Sequence, residues 1–158
     1  MPEDAPAGVA SEGGAPPVGM RLSRELRLDA TAISAGARMV GDLNPLHHDA
    51  AFAATTRFGG LIASGAHTSA LLAGVISVLL TEGGFGPAVG VDYRVRFRRP
   101  VPVDRPMRME WVVTGLDSVR GGDLVRFSGQ IADAESGDVA LSAEMTCLFF
   151  RRATAEPA

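Results

Sequence analysis

The chain has 158 residues, is 46% hydrophobic and carries a formal charge of −3, which suits one domain able to bury a core without metals or disulfides. That acidic balance excludes a protein whose affinity for nucleic acid rests on a basic, phosphate-contacting surface. All fifteen basic residues are Arg, so a few converging guanidinium groups would still make a local anion site, through planar two-point contacts with phosphate.

Residues 1–19 hold acids, prolines and glycines where an export leader would need a basic start and an apolar run, and they read as a disordered tail. Cys147 is the single cysteine and lies in an apolar alternating stretch, so it reads as a buried thiol in a reducing, cytoplasmic setting. Met20 to Leu28 alternates Met20, Leu22, Leu26 and Leu28 with Arg21, Ser23, Glu25 and Arg27, the period of a half-buried strand. Asp29 or Thr31 can cap a short helix to about Val40, and Gly41 and Asn44-Pro45 then break regular structure. Asp49 is the N-cap candidate of a brief helix through Phe52 and Ala53, ended by Phe58-Gly59-Gly60.

From Gly65 to about Thr81 the chain runs without proline, and Leu71, Leu72, Val75, Ile76, Val78, Leu79 and Leu80 cover most of a helical circumference. This predicts one helix buried all round. It falls short of the ~20 residues a bilayer crossing requires, so a core helix is expected and no membrane contact. Gly83-Gly84-Phe85-Gly86-Pro87 stops it, and four alternating runs follow, separated by turn signals at 103–106, 120–123 and 135–138. One core face is expected on each: Val89, Val91, Tyr93, Val95 and Phe97; Met107, Met109, Trp111 and Val113; Val125, Phe127 and Ile131; and Val139, Leu141, Ala143, Met145, Cys147 and Phe149. An apolar helix, an antiparallel meander and one earlier strand predict an α+β fold, a curved sheet wrapped around the helix, over residues 20–152, with 153–158 a second tail.

The acid–base chemistry gathers between Gly41 and Ser69. Asp42 and His47 stand five positions apart around an Asn-Pro turn, so tertiary packing must bring them together. Alone, such a motif is usually a turn whose Asp accepts backbone N–H groups. His48 reads as a solvent-facing loop residue, and His67 either lines a pocket or satisfies a helix-end group. A calcium loop would need more acids at fixed spacing and a trailing Glu, so no metal is expected. Arg94, Arg96 and Arg98 form a basic face opposite Tyr93, Val95 and Phe97, either a solvated face or a grip for phosphates.

Gly41-Asp42-Leu43-Asn44-Pro45-Leu46-His47, Phe52-Ala53-Ala54-Thr55-Thr56, Gly59-Gly60-Leu61-Ile62-Ala63-Ser64-Gly65 and Phe97-Arg98-Arg99-Pro100-Val101 together resemble the MaoC-like dehydratases and (R)-specific enoyl-CoA hydratases. The chain departs from that pattern at Val40, Ser64 and Ala73. The resemblance implies a hotdog fold, a homodimer or larger assembly, and reversible hydration of a trans-2-enoyl thioester to the (3R)-hydroxyacyl thioester, with the thioester as substrate and no separate cofactor. It implies that Asp42 and His47 hold the reacting water and that Gly65 offers its N–H to the thioester oxygen. Asn44, Ser64, Ala66 and His67 would lie beside the substrate, and Arg94, Arg96 or Arg98 would meet the phosphates of coenzyme A or an acyl-carrier arm. Two other readings of the scaffold are a non-catalytic thioester-binding or partner subunit and an acyl-CoA thioesterase. The latter usually carries an acid on the helix, where this chain has Ser64, His67 and Thr68.

Overall fold

A computed structural model describes residues 14–150; residues 1–13 of the first expected tail, the last two residues of the expected domain (151–152) and the expected tail 153–158 lie outside them. The elements are β1 (Arg21–Leu26), α1 (Ala30–Met39), a 3-10 turn (Pro45–His47), α2 (Ala50–Ala54), α3 (Gly65–Val75), α4 (Ser77–Thr81), β2 (Ala88–Phe97), β3 (Met107–Val119), β4 (Gly122–Asp133) and β5 (Val139–Phe150). The strands form one antiparallel sheet in the order β1-β3-β4-β5-β2, which leaves β1 and β2 at the edges. The core lies between the sheet and α3: Trp111, Phe127, Ile131, Leu141 and Phe149 from the strands meet Leu72, Val75, Ile76 and Leu79 from the helical side. Alternation along β3, β4 and β5 put these residues on one face, as their period predicts.

The expected single helix is two. The Trp111 indole N–H donates to the Leu72 carbonyl at 2.7 Å, the carbonyl that an unbroken helix would offer to the Ile76 N–H. Ile76 turns instead to Ala73, and the helix breaks there. Trp111 fits only because Gly129 lies opposite it, where a Cβ would come within 2.3 Å of the indole. Tyr93 adds a second pin, its hydroxyl donating to the Ser69 carbonyl at 2.7 Å. Nor is the helix buried all round. The sheet covers one side, and Ala66, Ala70, Gly74 and Ser77 face outward.

β2 also departs from its predicted face. Gly90 pairs with Cys147 and Asp92 with Thr146, so Val91 is an extra, unpaired residue, a bulge that reverses the alternation. Tyr93 and Val95 pack against the core, while Val89 and Val91 are exposed. Residues 14–19 belong to the fold rather than to a tail: Pro16 is fully buried and the Gly19 N–H bonds to the Val113 carbonyl. Cys147 is buried as predicted, and burial pushes its thiol pKa up to about 11. Among the described residues, no helix is long and apolar enough to cross a membrane.

Candidate active site

The end of α1 sets the first catalytic candidate. Asp29 caps the helix, accepting from the Ala32 N–H at 2.8 Å. At the other end, Gly41 takes a left-handed conformation with φ of 76°, which lets the Asp42 N–H return to the Ala37 carbonyl at 2.8 Å. The Asp42 side chain then starts a run of short-range bonds. Its Oδ1 accepts from the Asn44 N–H and the Asn44 Oδ1 accepts from the Leu46 N–H, each at 3.1 Å. Pro45 opens the 3-10 turn, and one turn later His47 points inward, 5% exposed. The bonds that make the turn therefore also set the directions of the Asp42 and His47 side chains.

The His47 Nδ1 lies 2.7 Å from the Ile62 carbonyl, which only accepts, so Nδ1 carries a proton. Ile62 is held in turn by its bridge to Pro102 and by the flanking bonds Ala63 N–H to Val101 and Val103 N–H to Leu61. Backbone thus fixes the tautomer and leaves Nε2 to face Asp42 Oδ2 at 3.1 Å. A proton shared across this gap sits on the imidazole as an ion pair with the carboxylate, or passes from one group to the other. The Ser64 hydroxyl, then the Asn44 N–H and His47, hold the Asp42 carboxyl below its usual pKa against the opposing effect of burial. Asp42 is therefore ionised at neutral pH.

His48 is no solvent-facing loop residue. Its Nε2 donates to the Asp42 carbonyl and its Nδ1 meets the Ser34 hydroxyl, both at 2.8 Å, tying α1 to the loop that carries the dyad. Its ring stands edge-on to His47, 6.2 Å between centroids. Nothing in the sequence marked this strut, because a second His beside the first carries no signal of direction.

Ser64, fully buried, is the N-cap residue of α3 but makes no side-chain cap. The first-turn N–H groups from Gly65 onward are left without that partner, as donors at the positive end of the helix. Gly65 is also the position where Phe97 closes in: a Cβ there would meet the ring at 2.9–3.0 Å. Phe97 is itself 60% exposed, so an aromatic ring at the surface roofs the helix start.

Of the other predicted site residues, Asn44 lies in the turn as its cap and is exposed, and Ala66 is exposed on the first turn of α3. His67 packs its ring over Gly36 of α1, so closely that a Cβ on Gly36 would come within 2.0 Å of it. Its Nδ1 is buried without a partner, and burial lowers its pKa. Arg94, Arg96 and Arg98 project from the sheet face opposite Tyr93, away from α3, around a shallow hollow of about 290 Å³ with Ser128, Ser142 and Glu144. There Arg94 pairs with Asp92 at 3.2 Å and Arg98 donates to Ser142 at 3.2 Å. Asp42, His47, Ser64 and Gly65 are brought together; these arginines are not part of that group. Among the described residues, no three or more His, Cys, Asp or Glu side chains gather as a metal site would need.

A loop-borne Asp–His pair thus lies beside the uncapped start of a sheet-packed helix, and comparison with known proteins shows the family. The MaoC like domain profile matches residues 17–133, and the chain belongs to that family. It is 33% identical to the (R)-specific enoyl-CoA hydratase of Aeromonas caviae over 99 residues, 63% of this chain and 72% of that one. It is also 33% identical to the 3-hydroxybutyryl-CoA dehydratase of Methylorubrum extorquens over 86 residues, 54% of this chain and 53% of that protein's length. The chain thus spans about half of the latter. The solved structure of the A. caviae (R)-hydratase superimposes with a TM-score of 0.71 at 28% identity, covering 85% of this chain and 98% of that one. The fold is the hotdog.

Proposed function

We propose that the protein is a hydro-lyase that reversibly adds water to a trans-2-enoyl-CoA thioester, giving the (3R)-hydroxyacyl-CoA. The observation that carries this reading is the Asp42–His47 contact of 3.1 Å with the imidazole tautomer set by Ile62. Similarity to two proteins named for hydration and dehydration of CoA thioesters supports the substrate class.

The cycle begins with Asp42 as carboxylate and His47 protonated at both nitrogens. Asp42 takes a proton from a water held by both side chains, and the oxygen bonds to C3. The C2–C3 π electrons move onto the thioester oxygen, which receives the Gly65 N–H at the helix start. His47 Nε2 delivers its proton to C2, and the proton on Asp42 then crosses the short gap to Nε2, restoring the starting state. Dehydration is the same path reversed. One or more of Arg94, Arg96 and Arg98, on the outer sheet face, would meet the CoA phosphates.

Incubation with crotonyl-CoA, following enoyl absorbance and free thiol together, tests the reading. Loss of absorbance without thiol release is expected; thiol release would mean hydrolysis, and no change in either would mean a non-catalytic binding subunit.

We also propose a homodimer or larger assembly, because the edge strand β2 leaves its outer backbone groups unpaired and exposes Val89 and Val91. Sedimentation at micromolar concentration should show at least a dimer. A stable 16.4 kDa species would contradict it.

A further inference from the structure

We infer that His48 is a positioning residue for Asp42, holding its main chain so that the carboxylate stays against His47, with Ser34 orienting the His48 ring; this deepens the hydratase reading and rests on it. The segment that carries Asp42 has little packing of its own. Gly41, Leu43, Asn44 and Pro45 are exposed, Leu43 at 71%, and Val40 before them at 39%, so polar contacts must fix the loop. Each end of the Asp42 backbone has one: its N–H bonds to the Ala37 carbonyl and its carbonyl receives His48 Nε2, both at 2.8 Å. With both peptide groups held, Oδ1 meets the Asn44 N–H and Oδ2 is left for His47. Asp42 therefore sits between two adjacent histidines, one on its carboxylate and one on its carbonyl.

The direction of each bond follows from the two ends. The Asp42 carbonyl only accepts, so His48 Nε2 carries a proton; Nδ1 of the neutral ring is then an acceptor, and the Ser34 hydroxyl donates to it at 2.8 Å. The hydroxyls of Thr68 and Ser69 turn back to carbonyls three or four residues earlier. That of Ser34 leaves its own helix for a ring fourteen positions on. His48 is itself pinned by its N–H to the Pro45 carbonyl, so one ring joins α1, the loop and the 3-10 turn that bears His47.

The test compares His48→Ala with His48→Gln, whose amide nitrogen reaches the place of Nε2 and can still donate to the Asp42 carbonyl, and with His48→Asn, whose shorter amide cannot. Steady-state kcat and KM for crotonyl-CoA are read together with melting temperature and with amide hydrogen exchange at Asp42 and Asn44 in the substrate-free protein. His48→Ala and His48→Asn should each lose about ten-fold in kcat with KM changed by less than about two-fold, and exchange at both amides should speed by about ten-fold. His48→Gln should recover most of the loss. Ser34→Ala, which keeps the bond to Asp42 but frees the ring, should fall between the parent and His48→Ala. Should His48→Ala not fold, the Gln and Asn variants make the same comparison. A loss that Gln does not relieve would overturn the inference, as would a lower melting temperature with kcat and exchange unmoved, the pattern of a tie that only stabilises. If the parent protein leaves crotonyl-CoA untouched, the hydratase reading fails, and exchange at Asp42 and Asn44 still decides whether His48 holds the loop.

Discussion

Asp42→Asn is expected to lower the rate of crotonyl-CoA hydration by about 10²- to 10⁴-fold, the usual contribution of a positioned acid–base group. His47→Ala should cost a similar factor. The double variant should be little worse than either, because two groups that share one water and one proton cannot be lost twice; additive losses would contradict the shared role. The stability of the two single variants should differ. Asn at 42 can still accept the Asn44 N–H and its side chain is partly exposed, so the fold should hardly notice. His47 is buried and donates to Ile62, so Ala leaves a buried carbonyl unpaired, at about 1–3 kcal/mol. Urea unfolding of both separates lost chemistry from lost packing.

Gly65→Ala should lose about 10²- to 10³-fold in kcat, the size of effect seen when one oxyanion donor is removed. The new Cβ would meet the Phe97 ring at 2.9–3.0 Å, but that ring is 60% exposed and free to swing outward, so the protein should fold with its melting temperature near the parent's. What the methyl obstructs is the approach of the thioester oxygen to the backbone N–H. The loss should therefore persist when Phe97→Ala is added and the crowding is gone. Recovery of activity in that double variant would mean that Gly65 matters only as room for Phe97.

Much of this was legible in the sequence because it depends on period and punctuation. Alternation found β3, β4 and β5 and their core faces, Gly41 and Asn44-Pro45 marked the loop, and the motif put forward Asp42 and His47, which the fold sets 3.1 Å apart. What was not legible depends on contacts between distant segments. The helix break at Ile76 follows from an indole on β3 taking the Leu72 carbonyl. The reversed face of β2 follows from a one-residue bulge at Val91, which no count along the strand reveals. The tautomer of His47 is set by the Ile62 carbonyl fifteen positions away, and His48 became a strut only once α1 brought Ser34 to it. The state of Ser64 has the same origin: a Ser before a helix reads as a cap, and only the folded chain shows its hydroxyl buried without a partner.

The central claim is that the dyad and the Gly65 donor lie on fixed, facing elements, so that water reaches one face of the C2–C3 double bond. Chiral chromatography of the product formed from crotonyl-CoA tests it most directly, with the same reaction in deuterated water reporting the relative geometry of the two additions. The account predicts the (3R)-hydroxybutyryl thioester, with hydroxyl and deuterium added from the same side. A predominantly (3S) product, even from an active hydratase, would contradict it.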